Sequence, residues 1–404
     1  MILIVTALPA WGQDVDSLKR KFNKCYEDEQ FYTAIIIGHQ LLNVTEHDSN
    51  DYLQYTIRIG DCYYRTNEYD KAIEFFSHAK DIYITNEKDK SLEYANLLIK
   101  IGYCSYYGKD CSRYNEIYFN RGISNFTLAT DIYKNIQGDY CLEVAELLET
   151  IGHCHECLDE YDKEINAFLQ AKDIYSHYND SLEVARMLEV IGECYNYRLE
   201  DYNKALDFYS LVKDIYNAKH DIYNLARTLE KIGNCYYNDI KNYNEAIKNY
   251  LSAIDYYTLS QSESYYETTR IIIKIGNYYR YILKDYINAI GYYSQAKDIY
   301  LSFNDCSGVA EMLANIGNCY FDLHKYCEVE QYYSQAIELC ERTKDTKGGL
   351  YIRLLKNLGL WHITQGDFSN AYTYLQKALN LEHRLNINEL SRDIQLNYNK
   401  LFVS

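Results

Sequence analysis

Residues 225–257 read LARTLEKIGNCYYNDIKNYNEAIKNYLSAIDYY. In the first half, Leu229, Ile232, Gly233, Tyr236 and Tyr237 fall three to four residues apart, one apolar face at the period of an α-helix. Asn238-Asp239 and Lys241-Asn242 interrupt with turn formers. Tyr243, Ala246, Ile247, Tyr250, Ala253, Ile254 and Tyr257 then resume the same period. The stretch predicts an antiparallel helical hairpin. Gly233 and Ala246 stand where its two helices approach closely, which accounts for a mid-helix glycine despite a cost of roughly 1 kcal/mol.

The same phrase returns around Gly60, Gly102, Gly152, Gly192, Gly233, Gly276, Gly317 and Gly359, at steps of 42, 50, 40, 41, 43, 41 and 42 residues. Counted from the glycine, Tyr236 lies 3 after, and Ala246, Tyr250 and Ala253 lie 13, 17 and 20 after; the first copy places Tyr63, Ala72, Phe76 and Ala79 at 3, 12, 16 and 19. This pattern resembles the tetratricopeptide repeat (TPR) signature, large-x2-L-G-x2-Y…A-x3-F…A. The resemblance implies an all-α fold, a right-handed α-solenoid of TPR-like hairpins with a C-terminal capping helix. Two features depart from it. The period exceeds the usual length of about 34 residues, lengthening each helix by about a turn. The proline that usually ends the second helix is missing, and Pro9 is the only proline.

Two finer likenesses are carried by short phrases. Ala226–Tyr236, read as A-R-x-L-x-x-I-G-N/E-x-Y, resembles the long-repeat TPR scaffolds of the Pins type, which clasp extended, partly acidic peptides. The stretch DVDSLKRKFNKCYEDEQFYTAIIIGHQLL is similar to the opening of TPR proteins from Bacteroidetes-type bacteria. Some of those carry a caspase-like peptidase domain after the array, but no such domain is legible before Ser404.

No Gly/Ser-rich or Pro-rich linker divides the chain, so residues 17–384 are expected to form one continuous array of about nine hairpins. The first, 17–44, lacks the signature glycine. The 50-residue step marks an insertion within 108–125, GKDCSRYNEIYFNRGISN, either a surface bulge or a binding loop. Residues 387–402 read as a single capping helix. Residues 1–13 look like a signal-peptide remnant or an apolar tail, without a basic leading region.

Lys+Arg 41 against Asp+Glu 58 gives a net charge of −17, which argues against a nucleic-acid partner. No stretch is long and apolar enough for a membrane span. The 48 tyrosines are too many for binding alone, and most occupy repeat core positions such as Tyr83, Tyr133, Tyr175, Tyr216 and Tyr300. Of 13 cysteines, Cys62, Cys104, Cys154, Cys194, Cys235 and Cys319 each stand two after a repeat glycine, which reads as small buried hydrophobes. Free thiols favour the cytoplasm and the apolar start favours export, so the compartment stays open. His153-Cys154-His155-Glu156-Cys157 holds zinc-type ligands, with Cys154 and Cys157 as the candidate pair. Yet Cys154 is the ordinary repeat cysteine and the two imidazoles diverge on a helix. No metal and no cofactor are expected.

In TPR proteins the first helix of each hairpin lines the concave surface. That resemblance assigns a peptide groove to positions around each glycine. Six before it stand Arg186, Arg227, Arg270 and Arg353; one after it stand Asn234, Asn277 and Asn318; four or five after it come Asn196, Tyr197, Tyr237, Asn238, Arg280 and Tyr281. Asparagine amides both donate to and accept from a peptide backbone, and arginines pair with acidic side chains. The competing reading is a solvated face in which Arg186–Glu189 and Arg227–Glu230 satisfy each other as i, i+3 pairs.

G-x-S-x-G, G-x4-G-K-[ST], H-E-x-x-H and G-x-G-x-x-G do not occur. The expected function is therefore a non-catalytic protein–protein interaction scaffold that binds an extended peptide of a partner. The alternatives are a sensor array controlling a separate effector, and a metal- or redox-responsive protein.

Overall fold

The computed structural model describes residues 15–47, 49–108, 116–260, 265–345 and 348–385. The apolar start, residues 109–115 of the insertion and the expected capping helix lie outside the described residues.

The described residues are all-α, with 18 helices in consecutive hairpin pairs. In chain order these are α1 (Val15–Glu27), α2 (Phe31–Val44), α3 (Asn50–Arg65), α4 (Tyr69–Thr85), α5 (Leu92–Tyr107), α6 (Glu116–Gln137), α7 (Leu142–Cys157), α8 (Tyr161–His177), α9 (Ser181–Tyr197) and α10 (Tyr202–Ala218). There follow α11 (Ile222–Asn234), α12 (Tyr243–Leu259), α13 (Tyr265–Asn277), α14 (Tyr286–Ser302), α15 (Cys306–Asp322), α16 (Tyr326–Arg342), α17 (Gly349–Thr364) and α18 (Phe368–Leu385). Two compact units divide at Ile215 and Tyr216, within α10. In the first unit α1 to α9 pack each on the next in sequence, and in the second unit α11 to α18 do the same, as expected of a one-dimensional stack.

Each signature glycine makes room for one side chain of the second helix. A Cβ built on Gly60, Gly102 or Gly152 would lie 2.6, 2.5 or 2.9 Å from Phe76, Phe126 or Phe168; on Gly192, Gly233, Gly276 or Gly317 it would lie 2.8, 2.6, 2.8 or 2.7 Å from Tyr209, Tyr250, Tyr293 or Tyr333. On Gly359 it meets Leu375 at 2.8 Å. The mid-helix glycine is thus a socket for a fully buried ring, or for Leu375 in the last hairpin.

The missing proline is replaced by backbone geometry. Most of the turns that follow a second helix hold a residue in the left-handed region, including Glu87 (φ 52°), Asn179 (56°), His220 (55°), Asn304 (57°) and Lys344 (60°). A left-handed residue turns the chain out of the helix and lets the next N–H reach back to a terminal carbonyl. Asp180, Asp221, Asn242, Asp285 and Asp305 then cap the following helix through their side-chain oxygens.

The longer spacing of some repeats is absorbed at one place. Where the small residue lies 12 after the glycine, the first helix closes with bonds such as Glu68 N–H to Tyr63 O (2.9 Å) and Lys325 N–H to Tyr320 O (3.0 Å). Where it lies 13 after, in the hairpins of Gly233 and Gly276, the helix ends in a π-helical turn, Cys235–Ile240 or Tyr278–Leu283. The hairpin of Gly192, also spaced 13, closes with a bond one residue wider, Asp201 N–H to Tyr195 O at 2.9 Å. One extra residue costs one wider turn and leaves the helix pairing intact.

At 22 residues, α6 is longer than its 17-residue counterpart α4. The described part of the insertion, 116–125, is its opening, and Tyr118 there donates to Asp70 of the preceding hairpin at 3.0 Å.

The twelve described cysteines are free thiols, and the repeat cysteines are buried. Burial pushes the thiols of Cys62, Cys104, Cys194 and Cys319 up to about 12. At pH 8 a thiol reagent will therefore modify exposed Cys327 quickly and these four roughly a thousandfold more slowly, through opening of the array. Mass mapping of labelled native protein checks this.

Candidate interaction face

The asparagines one residue after the glycine have a partner inside the hairpin. Tyr250 Oη donates to Asn234 Oδ1 at 2.9 Å, Tyr293 to Asn277 at 2.7 Å, and Tyr333 to Asn318 at 2.6 Å. These are the tyrosines seated over the glycines, and burial raises the phenols of Tyr293 and Tyr333 above their ordinary range. A buried hydroxyl needs an acceptor, and the asparagine supplies it. Where the socket holds Phe76, Phe126 or Phe168, the residue after the glycine is Asp61, Tyr103 or His153. Three of the four tyrosine sockets thus carry Asn after the glycine, and the fourth, Tyr209 over Gly192, carries Glu193 there.

The same position also receives a donor from the next hairpin, two residues before its glycine. Lys100 Nζ reaches Asp61 at 2.6 and 2.8 Å, Lys274 Nζ reaches Asn234 Oδ1 at 2.8 Å, and Asn357 Nδ2 reaches Asn318 Oδ1 at 3.0 Å. Lysine has only donors, so Lys274 fixes the Asn234 amide with its oxygen inward and its Nδ2 hydrogens left for other partners.

The arginines six before the glycine also join neighbouring hairpins. Arg186 Nη2 donates to Glu149 Oε1 of the preceding first helix at 2.8 Å, and its Nε to Glu183 at 2.6 Å. Arg270 Nη2 donates to Glu230 Oε2 at 2.7 Å, and Lys274 Nζ lies 3.2 Å from Glu230 Oε1. Tyr175 Oη donates to Glu149 at 2.5 Å and Tyr257 Oη to Glu230 at 3.5 Å. A carboxylate three before one glycine, an arginine six before the next and the second-helix tyrosine form a repeated clasp. Arg353 stands 4.0 Å from Glu311, which lies six before Gly317, outside this clasp. Arg227 is half-buried on α11.

Arg186 bonds both within its own helix and to the preceding first helix. It pairs with Glu183, three residues before it, and with Glu149 one hairpin away. Helix geometry allows the first, and stacking of first helices brings Glu149 within reach.

The positions four and five after the glycine diverge. Asn196 is buried, whereas Tyr197 is 62 % exposed. Tyr237 packs its ring on Tyr243, Tyr250 and Tyr278, and Asn238 is exposed. Arg280 folds against Asp322 at 3.1 Å and bonds Tyr281 Oη at 2.8 Å, while the Tyr281 ring stays half exposed. The π turns move Tyr237, Asn238, Arg280 and Tyr281 off the register of a regular helix.

Cys154 is buried in the core, and His153 and His155 turn apart, to Glu156 at 3.3 Å and Glu160 at 2.7 Å. Among the described residues no three His, Cys, Asp or Glu side chains converge as metal ligands. Nor is any described helix long and apolar enough to cross a membrane.

Tandem hairpins with glycine sockets and inter-hairpin clasps define a helical-repeat protein. Residues 183–259 and 308–381 match one tetratricopeptide repeat model, and 54–83 match another. The chain carries tetratricopeptide repeats. No curated protein matches it. Among solved structures it is similar to the apo form of RapI (15 % identity, 93 % of this chain and 99 % of that one, TM-score 0.48). It is also similar to a signal transduction ATPase with numerous domains from Pyrococcus horikoshii, which carries a tetratricopeptide repeat sensor (17 %, 89 % and 56 %, 0.49). A third is aspartyl phosphate phosphatase F from Bacillus subtilis (16 %, 93 % and 96 %, 0.44).

Proposed function

We propose that this protein is a non-catalytic interaction scaffold that holds an extended segment of a partner protein against its first helices. The observation that carries the reading is the asparagine series. Asn234, Asn277 and Asn318 recur one hairpin apart, each with its oxygen engaged by a buried tyrosine. Their Nδ2 groups then act as donors to main-chain carbonyls of an extended peptide, with little dependence on its side chains. Exposed Tyr197 and Tyr281 add amphipathic contact surface. Arg270 and Arg353 keep about half their side chains in water while leaning on glutamates, and offer acidic partner residues a second site. The likeness to long-repeat scaffolds that clasp partly acidic peptides supports this reading. Because the donors are already fixed by bonds within the array, binding orders few side chains.

The test replaces all three asparagines with aspartate. Aspartate still accepts the tyrosine hydroxyl and Lys274 but has no donor. Partners are captured from native extract with the wild-type chain, identified, and their affinity measured for both proteins. Three lost donors at about 0.5–1 kcal/mol each predict a roughly ten- to hundredfold weaker Kd, with unchanged circular dichroism. An unchanged Kd for the folded variant places binding elsewhere.

A further inference from the structure

One second-helix contact breaks the array's own rule. Four residues before the socketed ring, the other hairpins with a signature glycine place a buried small or apolar residue, such as Ala72, Ala205, Ala246, Ala289, Val329 and Ala371. In α8 that position, four before Phe168, is Glu164, and it is only 3 % exposed.

The carboxyl group is enclosed with little to balance a charge. From α9 the Cys194 thiol donates to Oε2 across 3.5 Å, a weak bond. The other charged groups facing it are His153 and Glu156 on α7 and Arg198 just past α9. Both basic side chains are engaged by Glu156: Arg198 Nη2 lies 2.8 Å from its Oε1, and His153 Nδ1 lies 3.3 Å from its Oε2. Among the described residues no salt bridge reaches Glu164. Glu230 makes the contrast: it is equally buried, but Arg270, Lys274 and Tyr257 all point at it.

We propose that the seam between the α7–α8 hairpin and α9 is a proton-controlled opening point, closed while Glu164 is neutral and loosened when it ionises. An ionised Glu164 competes with Glu156 for Arg198, and the Glu156–Arg198 bridge is a tie between α7 and the end of α9. His153 and Glu156 occupy the first-helix positions one and four after Gly152, so loosening the seam also remodels that stretch of the interaction face. The electrostatics agree in sign. Burial pushes the Glu164 carboxyl up, the Glu156 charge adds to this, and the Cys194 bond, Arg198 and His153 oppose it. A folded-state value above the unfolded one means a contribution that is complete below the ordinary carboxylate range. It is lost as pH rises through the folded-state value.

The experiment follows thermal unfolding of the full chain between pH 5 and 8.5 for wild type, Glu164→Gln and Glu164→Ala. Alanine restores the residue the array uses elsewhere. Both variants should melt about 2–4 °C above wild type at pH 8, with the gap closing toward pH 5. Hydrogen exchange, corrected for intrinsic rate, should show α8 and α9 less protected at pH 8 than at pH 5 in wild type only. A gap that does not change with pH, or variants that melt below wild type at pH 8, overturns the proposal.

Discussion

Gly276→Val will destabilise the second unit by about 3 kcal/mol or more, at the upper end of what overpacking does to a core. A Cβ on Gly276 falls 2.8 Å from Cε1 and 3.0 Å from Cδ1 of Tyr293. The contact is with the body of a ring, which cannot swing aside like the tip of a lysine. The ring is fully buried and its hydroxyl is tied to Asn277 at 2.7 Å, so retreat would also sacrifice a buried hydrogen bond. Gly276→Ala meets the same wall with one carbon. It should cost less, because alanine regains roughly 1 kcal/mol of helix propensity. Denaturant melts of both variants measure this, and Tyr293→Ala completes the cycle. Alone it should cost about 3–5 kcal/mol through the cavity it leaves. Combined with Gly276→Val it should cost clearly less than the sum, because the valine enters space the ring vacated. Additive costs would mean that the ring is not what requires the glycine.

The glycine socket was legible because it leaves a fixed spacing: a glycine, then a small residue 12 or 13 later and a ring four beyond that. The repeat identity of the chain follows from that spacing. The alternation of 12 and 13 was also visible, but its consequence was not. A single extra residue can be taken up by a longer loop, by a bulge or by a π turn, and periodicity does not choose among them. The wide turns at Cys235–Ile240 and Tyr278–Leu283 then displace Tyr237 and Arg280 from the positions that a regular helix implies.

The polar residues were harder for a different reason. Analogy with other arrays puts Asn234, Asn277 and Asn318 on the concave groove, yet each also answers the need of a tyrosine hydroxyl 15 or 16 residues later. The signal was the exchange of Phe for Tyr in the socket, which matters only once the ring is known to be buried. The arginines were read against acids on their own helix. Their observed partners include Glu149 and Glu230, 37 and 40 residues away. A single-helix reading cannot see an interaction whose natural separation is the repeat itself, although a search at that separation would have found both. Glu164 was missed because a glutamate on an amphipathic helix looks solvated until its position is aligned with the alanines of its sister repeats.

Glu230→Ala is the second large effect, about 2–3 kcal/mol, and it separates a structural clasp from decoration. Glu230 is buried and accepts from Arg270 at 2.7 Å, from Lys274 at 3.2 Å and from Tyr257 at 3.5 Å. Breaking a buried pair by removing one partner costs about 3–5 kcal/mol when the other charge is stranded. Here the cations are not fully stranded: the Arg270 side chain is 54 % exposed and that of Lys274 34 %, so both can regain water. The expected cost is lower for that reason. What cannot recover is the Tyr257 hydroxyl, enclosed at 1 % exposure. Glu230→Gln keeps an acceptor for that hydroxyl and loses the charge, and should fall between wild type and alanine. Glu311→Ala is the control. Its contact with Arg353 is 4.0 Å between two half-exposed side chains, a geometry worth at most about 0.5 kcal/mol. Thermal melts of the three variants rank them, and hydrogen exchange across α13 locates the loss. Should Glu230→Ala cost no more than Glu311→Ala, the ladder of charges between first helices is a surface feature. The arginines would then be free to serve a partner. A cost several times larger assigns them to holding one hairpin on the next, and leaves the asparagine donors and exposed tyrosines as the surface on which a partner is read.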